Sequence, residues 1–455
     1  MAAFRKVLTF WDIFWLGIGG MVGVAILTFP AQTFASAGPS SIISWVLAGV
    51  FSILMAVVYA EMATAFPRSG ALVVFPYEAF GRGRWARYLA FLEGVGFYLG
   101  TLFGIVVSAI ILGNYISPWF SNGIGLVVAA EAALLFVGAI NILGAKVTSN
   151  TNKAMSILFT ALFGVIIALG LWYGKLSRLV PFVSGSSGAF GIIYSIPIAI
   201  LAYGAWTAVI AVPEETERVR DMPRALIYSV GIATLIYALL VLVTYTNMSA
   251  AQLTGQGAYY YPVLALVSTF NNPVVLLLFK AAAILSIVAV MLVMVMANAR
   301  IAYAMGKLDF LPDSMKRLSG HSVPLYATLI AFAMPMLLSL FPSYYYQYVI
   351  IGAIVGTGMP RLIDLAAYLR IRRRRDYRPA FRLRHGLAIA AVALAGLAVS
   401  ELSIGISDTV WSVIALAVIT AAFVFVEARR NRRGAVTAAK RLPPQYRRRR
   451  GTEPP

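Results

Sequence analysis

The chain has 455 residues, 60% of them hydrophobic and only 12% charged, with a net charge of +20 and no cysteine. A soluble fold has no interior that hides so much apolar surface, and disulfide frameworks, thiolate metal sites and cysteine nucleophiles are excluded. The two histidines, His321 and His385, lie far apart beside basic loops, so a histidine-rich zinc site is excluded as well.

Apolar runs recur from end to end, near 11–34, 41–65, 88–115, 123–143, 154–173, 190–212, 224–246, 273–299, 325–341, 346–369, 385–402 and 408–427. Each is about 20 residues long, which predicts twelve transmembrane helices rather than the ten-residue alternation of a barrel. Arg5, Lys6 and the Ala35-Ser36-Ala37 stretch resemble a signal peptide and its cleavage site. The four glycines between Gly17 and Gly23 do not suit a signal core, so the first run is expected to be a retained span. With the N-terminus in the cytoplasm, Lys175 and Arg178 fall outside, Lys280 falls within a span, and every other basic residue falls at a cytoplasmic end or loop. The basic excess is thus a topology signal for a multi-pass protein of the cell membrane with both termini cytoplasmic, and nucleic acid is not an expected partner. The basic tail, with its RRNRR and YRRRR clusters, either meets anionic lipid headgroups or is solvated.

Spans 1 and 6 are interrupted. Span 1 reads LGIGGMVGVAILTFP, and span 6 reads SIPIAILAYGAWTAVIAVPEE with Pro197, Gly204 and Pro213. Glycine costs a helix about 1 kcal/mol relative to alanine, and the N–H and C=O groups freed at a break cost several kcal/mol each in lipid unless satisfied. Paired breaks at corresponding positions of two five-helix halves point to a transporter's binding site. The alternative for span 1 is close helix packing, for which Gly19 and Gly23 have the right spacing.

Here the chain resembles the amino acid–polyamine–organocation (APC) transporter superfamily. The span 1 segment Gly17 to Leu27 is similar to G-x-G-x-x-I-G-x-G-I-F, with Ala25 in place of a glycine. Tyr59 to Trp85 resembles Y-A-E-L-x-x-x-F-P-x-x-G-x-x-Y-x-Y-x-x-x-A-F-G. Glu214-Glu215-Thr216 with Asp221 to Ala225, Asn298 to Met315, and Ala367 to Arg382 resemble three further family segments, in order. The resemblance implies an all-α membrane protein with a five-plus-five inverted repeat, discontinuous helices 1 and 6, and two additional C-terminal helices. On that reading residues 1–178 form the first repeat, 185–369 the second, 385–427 helices 11 and 12, and 428–455 a basic cytoplasmic tail. It implies amino acid transport without a cofactor.

Carried over residue by residue, the resemblance places the substrate carboxylate at Gly23, Val24 and Ala25. It places the ammonium at carbonyls of Met21, Leu201, Ala202 and Gly204, and an aromatic wall or gate at Tyr203 or Trp206. Met291 and Met294 are further expected lining. Ala25 adds bulk where the family has glycine. Intramembrane charges make Glu93, Glu131 and Lys280 the coupling candidates. Each has a structural alternative: pairing with Arg84 or Arg87 for Glu93, a helix–helix contact for Glu131, snorkelling for Lys280. Arg361 and Asp364, three apart in span 10, are spaced to pair. Some family members carry a lysine in span 5 where sodium would bind. Phe159 stands there in this chain. Ser286 is the one hydroxyl of span 8, which is poor in the oxygen ligands that sodium prefers. Protons are therefore favoured over sodium. No acidic residue stands in the middle of spans 1, 6 or 8, which favours neutral amino acids. The alternatives are an exchanger, a polyamine or amine transporter, and a membrane amino acid sensor. No enzyme motif appears.

Overall fold

The computed structural model describes residues 3–116, 123–402 and 406–441, and its elements are helical. The chain begins with α1 (Phe10–Met21), α2 (Val24–Thr28), α3 (Pro30–Ala37), α4 (Ser41–Ala65), α5 (Ala71–Ala79) and α6 (Arg84–Ile116). It continues through α7 (Gly123–Ile142), α8 (Ala145–Tyr173), α9 (Phe190–Tyr203), α10 (Trp206–Val209) and α11 (Met222–Asn247). Three short helices follow, α12 (Ala250–Thr254), α13 (Gln256–Tyr260) and α14 (Pro262–Thr269), before the long α15 (Pro273–Lys307). The last elements are α16 (Leu325–Ser339), α17 (Tyr345–Ala353), a π-helical turn Ile354–Gly358, α18 (Met359–Ile371), α19 (Gly386–Leu402) and α20 (Ile406–Arg441).

Each apolar run of the sequence falls on helix. Among the described residues, eight helical stretches are long and apolar enough to cross a membrane, from Phe10–Thr28 to Pro273–Lys307, and Leu325–Ser339 and Gly386–Leu397 are shorter apolar helices. Large apolar side chains stand exposed on the outer faces, among them Leu47, Val50, Leu135, Val165, Leu171 and Leu235. Such a band needs a lipid neighbour rather than water.

Two boundaries differ from expectation. Helix α8 starts at Ala145 rather than near 154, because the polar residues of its first turns have partners inside the bundle. Lys146 and Lys153 meet the carboxylate of Asp12 at 2.6 and 2.7 Å, and Asn152 Nδ2 donates to the Ala289 carbonyl at 3.0 Å. Asp12 also completes the cap of α1, accepting from the Thr9 amide at 3.0 Å. Helix α20 runs on to Arg441, so the expected tail begins as a continuation of the last helix; residues 442–455 lie outside the described residues.

The glycines of α1 seat it in the bundle. A methyl group on Gly17 would collide with Ser229 of α11, on Gly19 with Asn152 and Ser156 of α8, and on Gly23 with Val290 of α15. Close packing and the helix break therefore coexist in one glycine-rich segment.

One end of the bundle is tied shut. The amides of Val7 and Leu8 donate to the Glu215 carbonyl at 2.9 and 3.0 Å, and the Glu217 amide donates to the Leu8 carbonyl at 2.9 Å. Arg300 of α15, with no exposed surface, donates from Nε and Nη2 to the two carboxylate oxygens of Glu215 at 2.8 and 2.9 Å. Glu214 accepts from the Ser69 amide at 2.8 Å. Gly70 is required beside it: its φ is +66°, and a Cβ would stand 2.5 Å from the Arg300 carbonyl oxygen.

Breaking a buried pair from one side leaves the other charge uncompensated, a loss of about 3–5 kcal/mol. Arg300→Ala is expected to lower the thermal unfolding midpoint of the purified protein in detergent by several degrees; an unchanged midpoint would remove this role.

Candidate functional site

Helix α1 ends at Met21 and α2 begins at Val24, while α9 ends at Tyr203 and α10 begins at Trp206. The two breaks lie side by side. Tyr237 of α11 joins them: its hydroxyl oxygen stands 2.6 Å from the Met21 carbonyl oxygen and 3.0 Å from that of Ala202. One O–H is shared between carbonyls freed by both breaks. The Tyr237 ring is held edge-on by Trp45 and Tyr203, at 5.6 and 4.9 Å between centroids. Thr207 closes the second break from within, its hydroxyl donating to the Gly204 carbonyl at 2.7 Å.

A cavity of about 190 Å³ lies against these breaks. That is below the ~300–1,000 Å³ of pockets for drug-sized ligands, and it suits a small solute. Met21, Val24 and Ala25 line it from the first break, and Leu201, Ala202 and Gly204 from the second. Helix α6 supplies the opposite wall with Glu93, Phe97, Gly100 and Gly104, and Met294 comes from α15. Tyr345 and Tyr348 of α17 and Arg361 of α18 complete it. The Arg361 guanidinium reaches the second break, where Nη2 would stand 3.3 Å from a Cβ on Gly204.

Three of the nine expected binding residues do not line this cavity. Gly23 faces α15, seated against Val290. Tyr203 turns away to donate its hydroxyl to the Trp45 carbonyl at 2.9 Å. Trp206 is fully buried and packs edge-on against Tyr59 at 5.2 Å between centroids. In this structure both aromatic residues pack behind the second break. Met291 is likewise buried and absent from the lining.

The three coupling candidates separate. Glu93 is on the cavity wall. Glu131 is half-buried on α7, where it accepts from the Ser339 hydroxyl of α16 at 2.6 Å, the helix–helix contact foreseen as its alternative. Lys280 is half-buried near the start of α15, away from the cavity. Phe159 is fully buried, and the Ser286 hydroxyl turns back onto its own helix at the Ala283 carbonyl, 2.9 Å away.

Sequence reading missed Tyr237, Tyr59 and the α6 wall. Tyr237 carries no local signal, being one of several tyrosines in an apolar run. The α6 wall did carry one, the four-residue spacing of Gly96, Gly100 and Gly104, which allows close approach of a neighbouring helix.

Tyr237→Phe keeps the ring and removes the shared O–H. Carbonyls left unsatisfied in a dry site cost about 1–3 kcal/mol. The variant is expected to lose that much stability in unfolding measurements in detergent; equal stability would show the carbonyls find other donors.

The amino acid permease family model matches residues 8–434. The branched-chain amino acid permease BcaP of Bacillus subtilis (strain 168) is 27% identical over 347 residues, covering 71% of this chain and 72% of that protein. The methylthioribose transporter of the same organism is 27% identical, covering 68% of each chain. The vacuolar cationic amino acid transporter 8 of Arabidopsis thaliana is 27% identical over 272 residues, covering 56% of this chain and 45% of that protein. With a match over nearly its whole length and a bundle of apolar membrane-crossing helices, the chain belongs to the amino acid permease family of the APC superfamily.

Proposed function

We propose that the protein is a secondary active transporter that carries neutral amino acids across the cell membrane by alternating access, coupled to protons. The observation that carries this reading is the cavity lined by residues of both helix breaks. In the proposed topology twelve spans place both termini in the cytoplasm, residues 1–178 and 185–369 form inverted repeats, and the tied end is the cytoplasmic one. Rocking of the repeats about the breaks then exposes the cavity to each side in turn.

The substrate's carboxylate is proposed to meet backbone N–H groups at Val24 and Ala25. Its ammonium is proposed to meet carbonyls of Met21, Ala202 and Gly204, displacing or sharing the Tyr237 hydroxyl. Leu201, Val24, Phe97 and Met294 supply apolar contacts for the side chain. One acidic and one basic side chain, Glu93 and Arg361, reach the cavity, so its lining has no net charge. That balance favours a zwitterion with a neutral side chain over a polyamine or cationic amino acid. The relatives named for branched-chain amino acids support this choice, and those named for cationic amino acids point the other way. The relative named for methylthioribose makes an uncharged non-amino-acid solute the second reading.

Uptake of labelled alanine, leucine and isoleucine into proteoliposomes, in sodium-free buffer with an inward proton gradient, tests the reading. A neutral zwitterion moving with one proton across 100 mV gains about 2.3 kcal/mol, or roughly fifty-fold accumulation. Concentrative uptake that collapses with a protonophore is expected. Uptake only into preloaded vesicles would make the protein an exchanger, and binding without counterflow would make it a sensor. Leu201→Trp, which fills the cavity, is expected to cut uptake by at least about tenfold, a loss of about 1.4 kcal/mol or more in transition-state stabilisation. Normal uptake by this variant would place the site elsewhere.

A further inference from the structure

Helices α6 and α18 meet along a seam that sequence spacing makes inevitable once they run antiparallel. A Cβ on Gly100 would collide with the Cα of Gly356, so the two backbones touch there. Four residues back along α6, a Cβ on Gly96 would stand 2.9 Å from Pro360 Cγ, four residues on from Gly356. One further turn in each direction brings Glu93 and Asp364 opposite one another. They are 1% and 0% exposed. Among the described residues, no donor reaches either oxygen of Asp364 or Oε2 of Glu93 in hydrogen-bond geometry. The two carboxyl groups interact with one another, Asp364 also with the Tyr59 hydroxyl, and Arg361 acts on Tyr59.

We propose that Glu93 and Asp364 hold one proton between them and form the proton-binding site of the transport cycle. Two facing carboxyl groups out of reach of water cannot both carry charge. The shared proton turns one into the donor that the other lacks. This deepens the transport reading above and rests on it.

Several other charged groups on the surrounding helices are paired elsewhere. Glu61 of α4 meets Arg372 at 2.6 Å, Glu78 of α5 meets Arg82 at 2.8 Å, Arg87 of α6 meets Glu427 at 3.2 Å and Arg300 of α15 meets Glu215. Among the described residues, Glu93, Asp364, Tyr59 and Arg361 are the titratable and charged groups that act on this locus.

The pair is wired to both moving parts. Glu93 lines the cavity, so substrate and proton occupy adjoining sites. Tyr59 carries the pair's position to Trp206, the first residue of α10 after the second break. The π-helical turn Ile354–Gly358 sits in the seam directly above, a local irregularity of the kind found where helices must adjust. When α6 and the span containing α18 part, the two carboxyl groups separate and meet water, and the proton leaves as the seam opens to the cytoplasm. Only the O–H bond of the pair breaks, and Arg361 remains to balance one of the two carboxylates.

The test uses wild type, Glu93→Gln and Asp364→Asn in sodium-free proteoliposomes with a pH-sensitive dye in the lumen and labelled alanine, leucine and isoleucine outside. Wild type is expected to acidify the lumen as it accumulates substrate. Asp364→Asn, which lies off the cavity lining, is expected to keep counterflow of labelled amino acid, and in both variants lumen acidification disappears, uptake loses its pH dependence, and accumulation falls from the roughly fifty-fold of one proton at 100 mV toward unity. Either variant accumulating like wild type under a proton gradient would overturn the proposal. Counterflow in wild type without proton movement overturns it and leaves the transport reading standing, whereas no counterflow in wild type removes the transport reading itself. If the variants do not fold, a carbodiimide, which attacks protonated carboxyl groups, decides on wild type alone. Modification of Glu93 or Asp364 at neutral pH supports the shared proton; unmodified peptides for both residues overturn it.

Discussion

Backbone groups inside a membrane have no water to fall back on, and this constraint organises the molecule. Two helices are interrupted at the centre of the bundle, and each break strands carbonyl oxygens. Tyr237 resolves both at once, from a third helix, by standing between the carbonyls of Met21 and Ala202. Its position depends in turn on Trp45 and Tyr203, and Tyr203 is anchored on the Trp45 carbonyl. A hydroxyl bridging two breaks is a weaker commitment than a continuous helix. It leaves carbonyls that a donor in the cavity, such as an ammonium group, can claim.

Charge obeys the same constraint. The buried carboxylates of Asp12, Glu61 and Glu215 each have a cation within hydrogen-bond distance. Buried pairs add little net stability over apolar packing, but they are costly to break from one side, so they fix geometry. Here they fix α1 to α8, α4 to the α18 end, and the segment after α10 to α15. Glu93 and Asp364 depart from this pattern: they face each other, beside the cavity. A departure from an otherwise consistent rule is where function is expected to sit.

Glycine has two uses in this fold. In α1 it permits both tight seating against α8, α11 and α15 and the interruption that follows. Along α6 and the helix opposite, it lets backbones touch at Gly100 and Gly356. At that point no side chain interlocks the two backbones, while Pro360 and Met359 pack against Gly96 one turn away. At Gly70 the demand is conformational as well as steric, and it lies beside the Arg300–Glu215 tie that closes one end.

Composition and periodicity alone determined that the chain is helical and membrane-embedded, because twenty-residue apolar runs have no other stable setting. Helix-breaking residues marked the two interrupted spans, since glycine and proline act locally; the breaks fall beside Gly23 and at Gly204, while Pro197 lies inside α9. Motif order pointed to the family. The Lys146–Asn152 stretch was read as a loop because its inward-facing partners, Asp12 and the Ala289 carbonyl, are distant in sequence. Tyr203 and Trp206 were expected on the cavity because a local pattern names neighbours but not the direction of a side chain at a helix break. The meeting of Glu93 with Asp364, and of Tyr237 with both breaks, was decided by tertiary structure alone: each joins segments that only helix packing brings together, and no pattern within one segment encodes that.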